Sequence, residues 1–107
     1  MSKENNKLIP FSVKLNVREK LFLKSLLLDD SEFNFQYEVY DAAICWAIDN
    51  KDYLVAIANS KSGSYKTCYL GESVQCIHEL EESWDCNTTR AFHSALVQYS
   101  KYRGMLG

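Results

Sequence analysis

The sequence predicts an α+β domain in which four helices pack on a small antiparallel sheet of two or three strands. Three observations carry this. Apolar residues alternate with polar ones in "FSVKLN", which is the mark of a half-buried strand. Two further β-rich runs, "YLVAIA" and "YKTCYL", flank the turn sequence Ser-Lys-Ser-Gly-Ser and read as a hairpin. Four other segments carry apolar residues at helical spacing.

Residues 1–9 are largely polar, and 1–10 are expected to be a flexible N-terminus, with a single domain from 11 to 107. In the first strand Phe11, Val13 and Leu15 take one face, and Ser12, Lys14 and Asn16 the other. The following "VREKLFLKSLLLDD" holds Leu23, Leu26 and Leu27 on one stripe. It should end near Asp29 and Asp30, because two carboxylates oppose the negative end of a helix dipole. "EFNFQYEVYDAAICWAIDN" admits two readings. Phe33, Phe35, Tyr37 and Val39 alternate as in a strand, whereas Tyr37, Tyr40, Ile44, Ala47 and Ile48 form a helical stripe and the alanines favour helix. We expect a helix over about 35–49 with Asn34 as its cap. The alternative takes this region as strands and gives an antiparallel β-meander with one N-terminal and two C-terminal helices. After the hairpin, Val74, Ile77, Leu80 and Trp84 mark a third helix. Asn87 or Thr88 caps a fourth, in which Phe92, Ala95, Leu96, Tyr99 and Tyr102 share a face.

The 107-residue chain has a formal charge of −2 from 12 basic and 14 acidic residues. Basic residues exceed acidic ones only before residue 31. A strong nucleic-acid binder usually carries a basic excess, so any such binding must rest on a local patch. "MSKENNKLIPFS" has no apolar core of a signal peptide, and no run reaches transmembrane length. The expectation is therefore a cytoplasmic chain with no membrane partner, whose four cysteines are free thiols.

The second and fourth helices share a pattern. In "EVYDAAICWA" and "RAFHSALVQY", Val39 aligns with Ala91, Tyr40 with Phe92, Ala43 with Ala95, and Ile44 with Leu96. Each helix is preceded by a helix and a strand, giving repeats over 11–49 and 65–103. This unit resembles the ribbon-helix-helix family of DNA-binding proteins, the Arc and methionine repressor type, here with both copies in one chain as in fused relaxosome accessory proteins. The resemblance implies that two strands pair into a ribbon that enters the major groove of double-stranded DNA. It implies readers on the outward face: Ser12, Lys14 and Asn16 on the first strand, and Lys66 and Cys68 on the second if Tyr65, Thr67 and Tyr69 face inward. It also implies phosphate contacts at the helix starts near Asn34 and near Asn87 and Thr88.

No other chemistry is marked. Cys76, His78, Cys86 and His93 lack the paired spacing of a zinc site, and the two histidines read as surface or boundary residues. No nucleophile elbow, phosphate loop or zinc-protease motif occurs, so neither an enzyme nor a cofactor is expected. Trp46 reads as core. Two functions follow as expectations, each for a monomer or homodimer. One is a DNA-binding regulator, either a transcriptional repressor or an origin or relaxosome accessory factor. The other is a small protein-binding inhibitor or adaptor of the kind phages and other mobile elements encode. That second protein would act through the acidic helix face of Glu79, Glu82 and Asp85 or the aromatic patch of Tyr99 and Tyr102.

Overall fold

The structure is a computed structural model and describes residues 7–29, 32–58 and 62–105. Asp30, part of the expected helix stop, and residues 60 and 61 of the expected turn lie outside the described residues, as do 1–6 and 106–107. Strand β1 (Ile9–Leu15) leads into helix α1 (Val17–Asp29) and helix α2 (Gln36–Asp49). Strand β2 (Ser64–Leu70) leads into helix α3 (Ile77–Trp84), by way of a 3-10 turn over Glu72–Cys76, and then into helix α4 (Thr88–Tyr102). The two strands pair with each other in antiparallel register, from Ile9 opposite Leu70 to Leu15 opposite Ser64. The fold is thus α+β, with four α-helices and a two-stranded antiparallel sheet among the described residues.

Local chemistry sets the helix starts. Asn16 Oδ1 accepts from the Glu19 N–H at 2.8 Å, and the Glu19 carboxylate accepts from the Asn16 N–H at 2.9 Å, a reciprocal cap on α1. At α2 the expected cap fails. The Glu38 carboxylate, one turn inside the helix, takes the N–H groups of Asn34 at 2.6 Å and Phe35 at 3.0 Å, and Phe35 occupies the capping position. Asn34 is therefore not the cap. At α4, Asn87 is the cap of the two candidates, accepting from the Arg90 N–H at 2.9 Å, and Thr88 is the first helical residue. Helix α3 ends where Asp85 takes a left-handed φ of +52°, a conformation that Asp tolerates better than bulkier residues do.

Helical spacing wins over alternation in residues 36–49 because it buries more. Val39, Tyr40, Ala43, Ile44 and Ala47 form one stripe against α4 and the sheet. In the alternating set, Phe35 is left 61% exposed with its ring stacked on Tyr37. All eight residues of the aligned pattern, Val39, Tyr40, Ala43 and Ile44 with Ala91, Phe92, Ala95 and Leu96, are buried. Phe92 ties the core together, meeting Phe11 edge-on at 5.3 Å and Tyr40 at 6.4 Å. Trp46 lies at the edge of this core, stacked on Tyr102 at 5.1 Å.

The expected hairpin is not formed. "YLVAIA" has strand propensity, yet β2 pairs with β1, and residues 54–58 run as an extended strap along α4. The strap's backbone is held by side chains one helical turn apart. Gln98 donates to the Val55 carbonyl at 2.8 Å, Ser94 Oγ accepts from the Ile57 N–H at 2.8 Å, and Arg90 Nε donates to the Ile57 carbonyl at 3.1 Å. Backbone groups that would demand a sheet partner are satisfied by a helix face instead.

His93 is also placed differently from the surface or boundary position expected. It is buried on α4, and burial pulls its pKa below the usual value of 6.5, with the nearby Glu19 carboxylate pulling the other way. The folded state therefore binds a proton on His93 less readily than the unfolded chain does. Stability contributed by neutral His93 is complete above about pH 6.5 and falls as the pH drops below that value. Urea unfolding midpoints measured from pH 8 to pH 5 should decline on the acid side, and His93→Gln should flatten that decline. An equal decline in both proteins would remove His93 from the account.

Candidate functional site

Strand alternation divides the ribbon into two faces. Val13 and Leu15 on β1, and Cys68 and Leu70 on β2, are fully buried against α2 and α4. The opposite face holds Pro10, Ser12 and Lys14 beside Tyr65, Thr67 and Tyr69. The register sets Pro10 against Tyr69, Ser12 against Thr67, and Lys14 against Tyr65. Tyr65 and Tyr69 are 65% and 43% exposed, Ser12 and Thr67 are exposed, and Lys14 is half-buried.

This corrects the assignment of the second strand. Cys68 points into the core beside the Tyr40 hydroxyl, and burial pushes both groups' pKa values up, so the thiol is a neutral packing group. Lys66 stands opposite Val13 and so belongs to the same side as Cys68, although its own side chain remains exposed. The outward residues of β2 are Tyr65, Thr67 and Tyr69. Both parities of "SYKTCYL" contain apolar side chains, so alternation alone does not choose between them. A usable signal was present at the strand ends. Val-x-Leu precedes the start of α1, and Cys-x-Leu precedes the turn into α3, which makes Leu15 and Leu70 equivalent.

Asn16 is corrected too. Its Oδ1 is engaged by the Glu19 N–H, so it lacks the free acceptor that a bidentate contact to adenine needs. Asn34 is placed beside Glu38, whose carboxylate holds the two N–H groups that a phosphate would have used. The start of α4 is different. Asn87 is a neutral cap, Arg90 lies in the first turn, and the Thr88 hydroxyl donates to Glu81. Of the expected readers, the structure brings Ser12 and Lys14 together on one open face.

No family model, curated protein or solved structure matches the chain.

The acidic surface considered for protein binding is also in place. Glu79, Glu82 and Asp85 are exposed around α3, with Glu79 Oε2 3.8 Å from Lys51 Nζ. The aromatic patch is divided. Tyr99 is buried and receives a 2.7 Å hydrogen bond from Arg103, so only Tyr102 of that pair is exposed. Among the described residues no cluster of three metal-ligating side chains occurs, and no helix is long and apolar enough to cross a membrane.

Proposed function

We propose that the chain is a DNA-binding regulator of ribbon-helix-helix type, folded from two strand-helix-helix halves in one polypeptide. One observation carries this reading: β1 and β2, which each open a half, pair with one another instead of with a neighbour in sequence, and turn a polar, uncovered face outward. A two-stranded ribbon fits the width of the major groove. The outward Lys14 ammonium is suited to the guanine acceptors, and the Ser12 and Thr67 hydroxyls to either donors or acceptors on base edges. Lys20, whose ammonium donates to the Ser64 hydroxyl, and Lys66 add positive charge near the same end of the ribbon. With a net charge of −2 the chain has little general attraction for phosphate, so binding depends on this patch.

The test is fluorescence anisotropy of a labelled random duplex at rising salt. Binding should weaken with salt in proportion to the few phosphates neutralised. Lys14→Ala should weaken it by about 1–3 kcal/mol on a preferred sequence. Salt-independent association, or an unchanged affinity for Lys14→Ala, would sink the ribbon as the binding surface. A second reading, a protein-binding inhibitor or adaptor, is favoured by the exposed acidic face of Glu79, Glu82 and Asp85. It predicts that charge reversal on α3, and not on the ribbon, abolishes the interaction.

A further inference from the structure

The two halves of the ribbon face are chemically unlike, and their difference has a direction. Leu15 and Leu70 occupy equivalent places, so Ser12 is equivalent to Thr67, Lys14 to Tyr69, and Pro10 to Tyr65. Ser12 and Thr67 are also directly opposite each other. The local two-fold relation between the strands therefore passes through that central pair. Either side of it, a symmetric protein would show the same residues. Here one end presents Lys14 with Tyr65, and the other presents Tyr69 with Pro10.

The surroundings reinforce the difference. At the Lys14 end Lys20 reaches Ser64, and Lys66, next to Tyr65 on the other face of the strand, is exposed. At the other end Ile9 and Gly71 border an open cavity of about 620 Å³ whose wall carries Glu32, Glu38, Asp41 and Glu72, with Lys7 as the cation among its lining residues. Asp41 is fixed there, accepting from the Gly71 N–H at 2.9 Å and from the Ser73 hydroxyl. The potential along the ribbon thus runs from positive to negative. Charges within roughly 8 Å of a phosphate are not fully screened at physiological salt, so a duplex lying along the ribbon would feel the two ends differently wherever its phosphates came that close.

We propose that the ribbon binds a non-palindromic duplex site in a single orientation, with the Lys14 end over the more tightly specified half. This rests on the DNA-binding reading above. The Lys14 half selects guanine through N7 and O6. The Tyr69 and Pro10 half offers one hydroxyl and apolar surface, which suits a thymine methyl and discriminates weakly. Phosphates are attracted at the first end and repelled by the acidic wall at the second.

The experiment is selection of binding sites by the full chain from a randomised duplex pool at low salt, followed by affinity measurement on the selected sequence. The expected motif lacks two-fold symmetry and is strongest in one half. Lys14→Ala should lower affinity about tenfold and relax that half alone. Tyr69→Lys, which makes the two equivalent positions alike, should shift the selected motif toward a palindrome. Circular dichroism of both variants checks that the fold is retained. A palindromic wild-type motif with equal halves overturns the orientation and leaves DNA binding standing. Failure of any sequence to be enriched, with no salt-sensitive retention of duplex, overturns both.

Discussion

Phe92→Ala should destabilise the protein by about 3–5 kcal/mol, the range for deleting a fully buried aromatic side chain. Phe92 is fully buried on α4 and packs edge-on against Phe11 of β1 and near-perpendicular to Tyr40 of α2. Through it α4 touches both β1 and the first half's inner helix. Its neighbours cannot easily close the space, because Phe11 is tied to a paired strand and Tyr40 to the buried Cys68. A domain of this size has a total stability of only about 5–15 kcal/mol. Urea unfolding should therefore show a midpoint far below that of the parent, with an unchanged slope if the transition stays two-state. A loss under about 1 kcal/mol would show that the surrounding side chains close the space and that Phe92 contributes little to holding α4 on β1 and α2.

Gly63→Ala should cost roughly 3 kcal/mol or more, through two separate effects. Gly63 has φ +110°, a region that side chains rarely enter. A Cβ there would also lie 2.2 Å from the Leu15 carbonyl oxygen and 2.7 Å from the Asn16 Cα. Both are backbone atoms, and Leu15 is held in register opposite Ser64, so neither can yield without opening the end of the ribbon. Gly104 provides the control. Its φ is +117°, but an added Cβ meets nothing within 4 Å. Gly104→Ala thus reports the backbone strain alone, and the difference between the two variants reports the close approach of Gly63 to β1. Thermal melts of both proteins would measure it, and equal losses would mean that the contact with Leu15 contributes nothing. Because Lys14 and Tyr65 sit at that same end, Gly63→Ala should also weaken any binding by the ribbon more than Gly104→Ala does.

Three of the helices can be read from the sequence alone, and for residues 36–49 helical spacing is favoured over a strand reading that the sequence leaves open. Tyr40, Ala43, Ile44 and Ala47 on α2 and Phe92, Ala95, Leu96 and Tyr99 on α4 are legible because helix periodicity is local: each residue's face depends only on its spacing from its neighbours. The cap at Asn87 and the outward Ser12 and Lys14 were legible for the same reason. Which strand pairs with which, which parity of β2 faces the core and where the linker runs depend on contacts between distant parts of the chain. Two β-prone segments joined by a Gly-Ser turn look like a hairpin. Yet the partner of β2 comes from the start of the chain, because that pairing buries Val13, Leu15, Cys68 and Leu70 together between α2 and α4. "YLVAIA" then finds its backbone partners on Arg90, Ser94 and Gln98, polar residues whose role is invisible until α4 is placed beside them. Cys68 faces a buried tyrosine instead of solvent, Asn16 is engaged in a reciprocal cap, and the backbone N–H of the exposed Asn34 is taken by a carboxylate one turn away, all of which exist only in the folded chain. Strand pairing and side-chain hydrogen bonding are non-local, and a residue's chemistry at the surface is settled by what it has not already been used to bind.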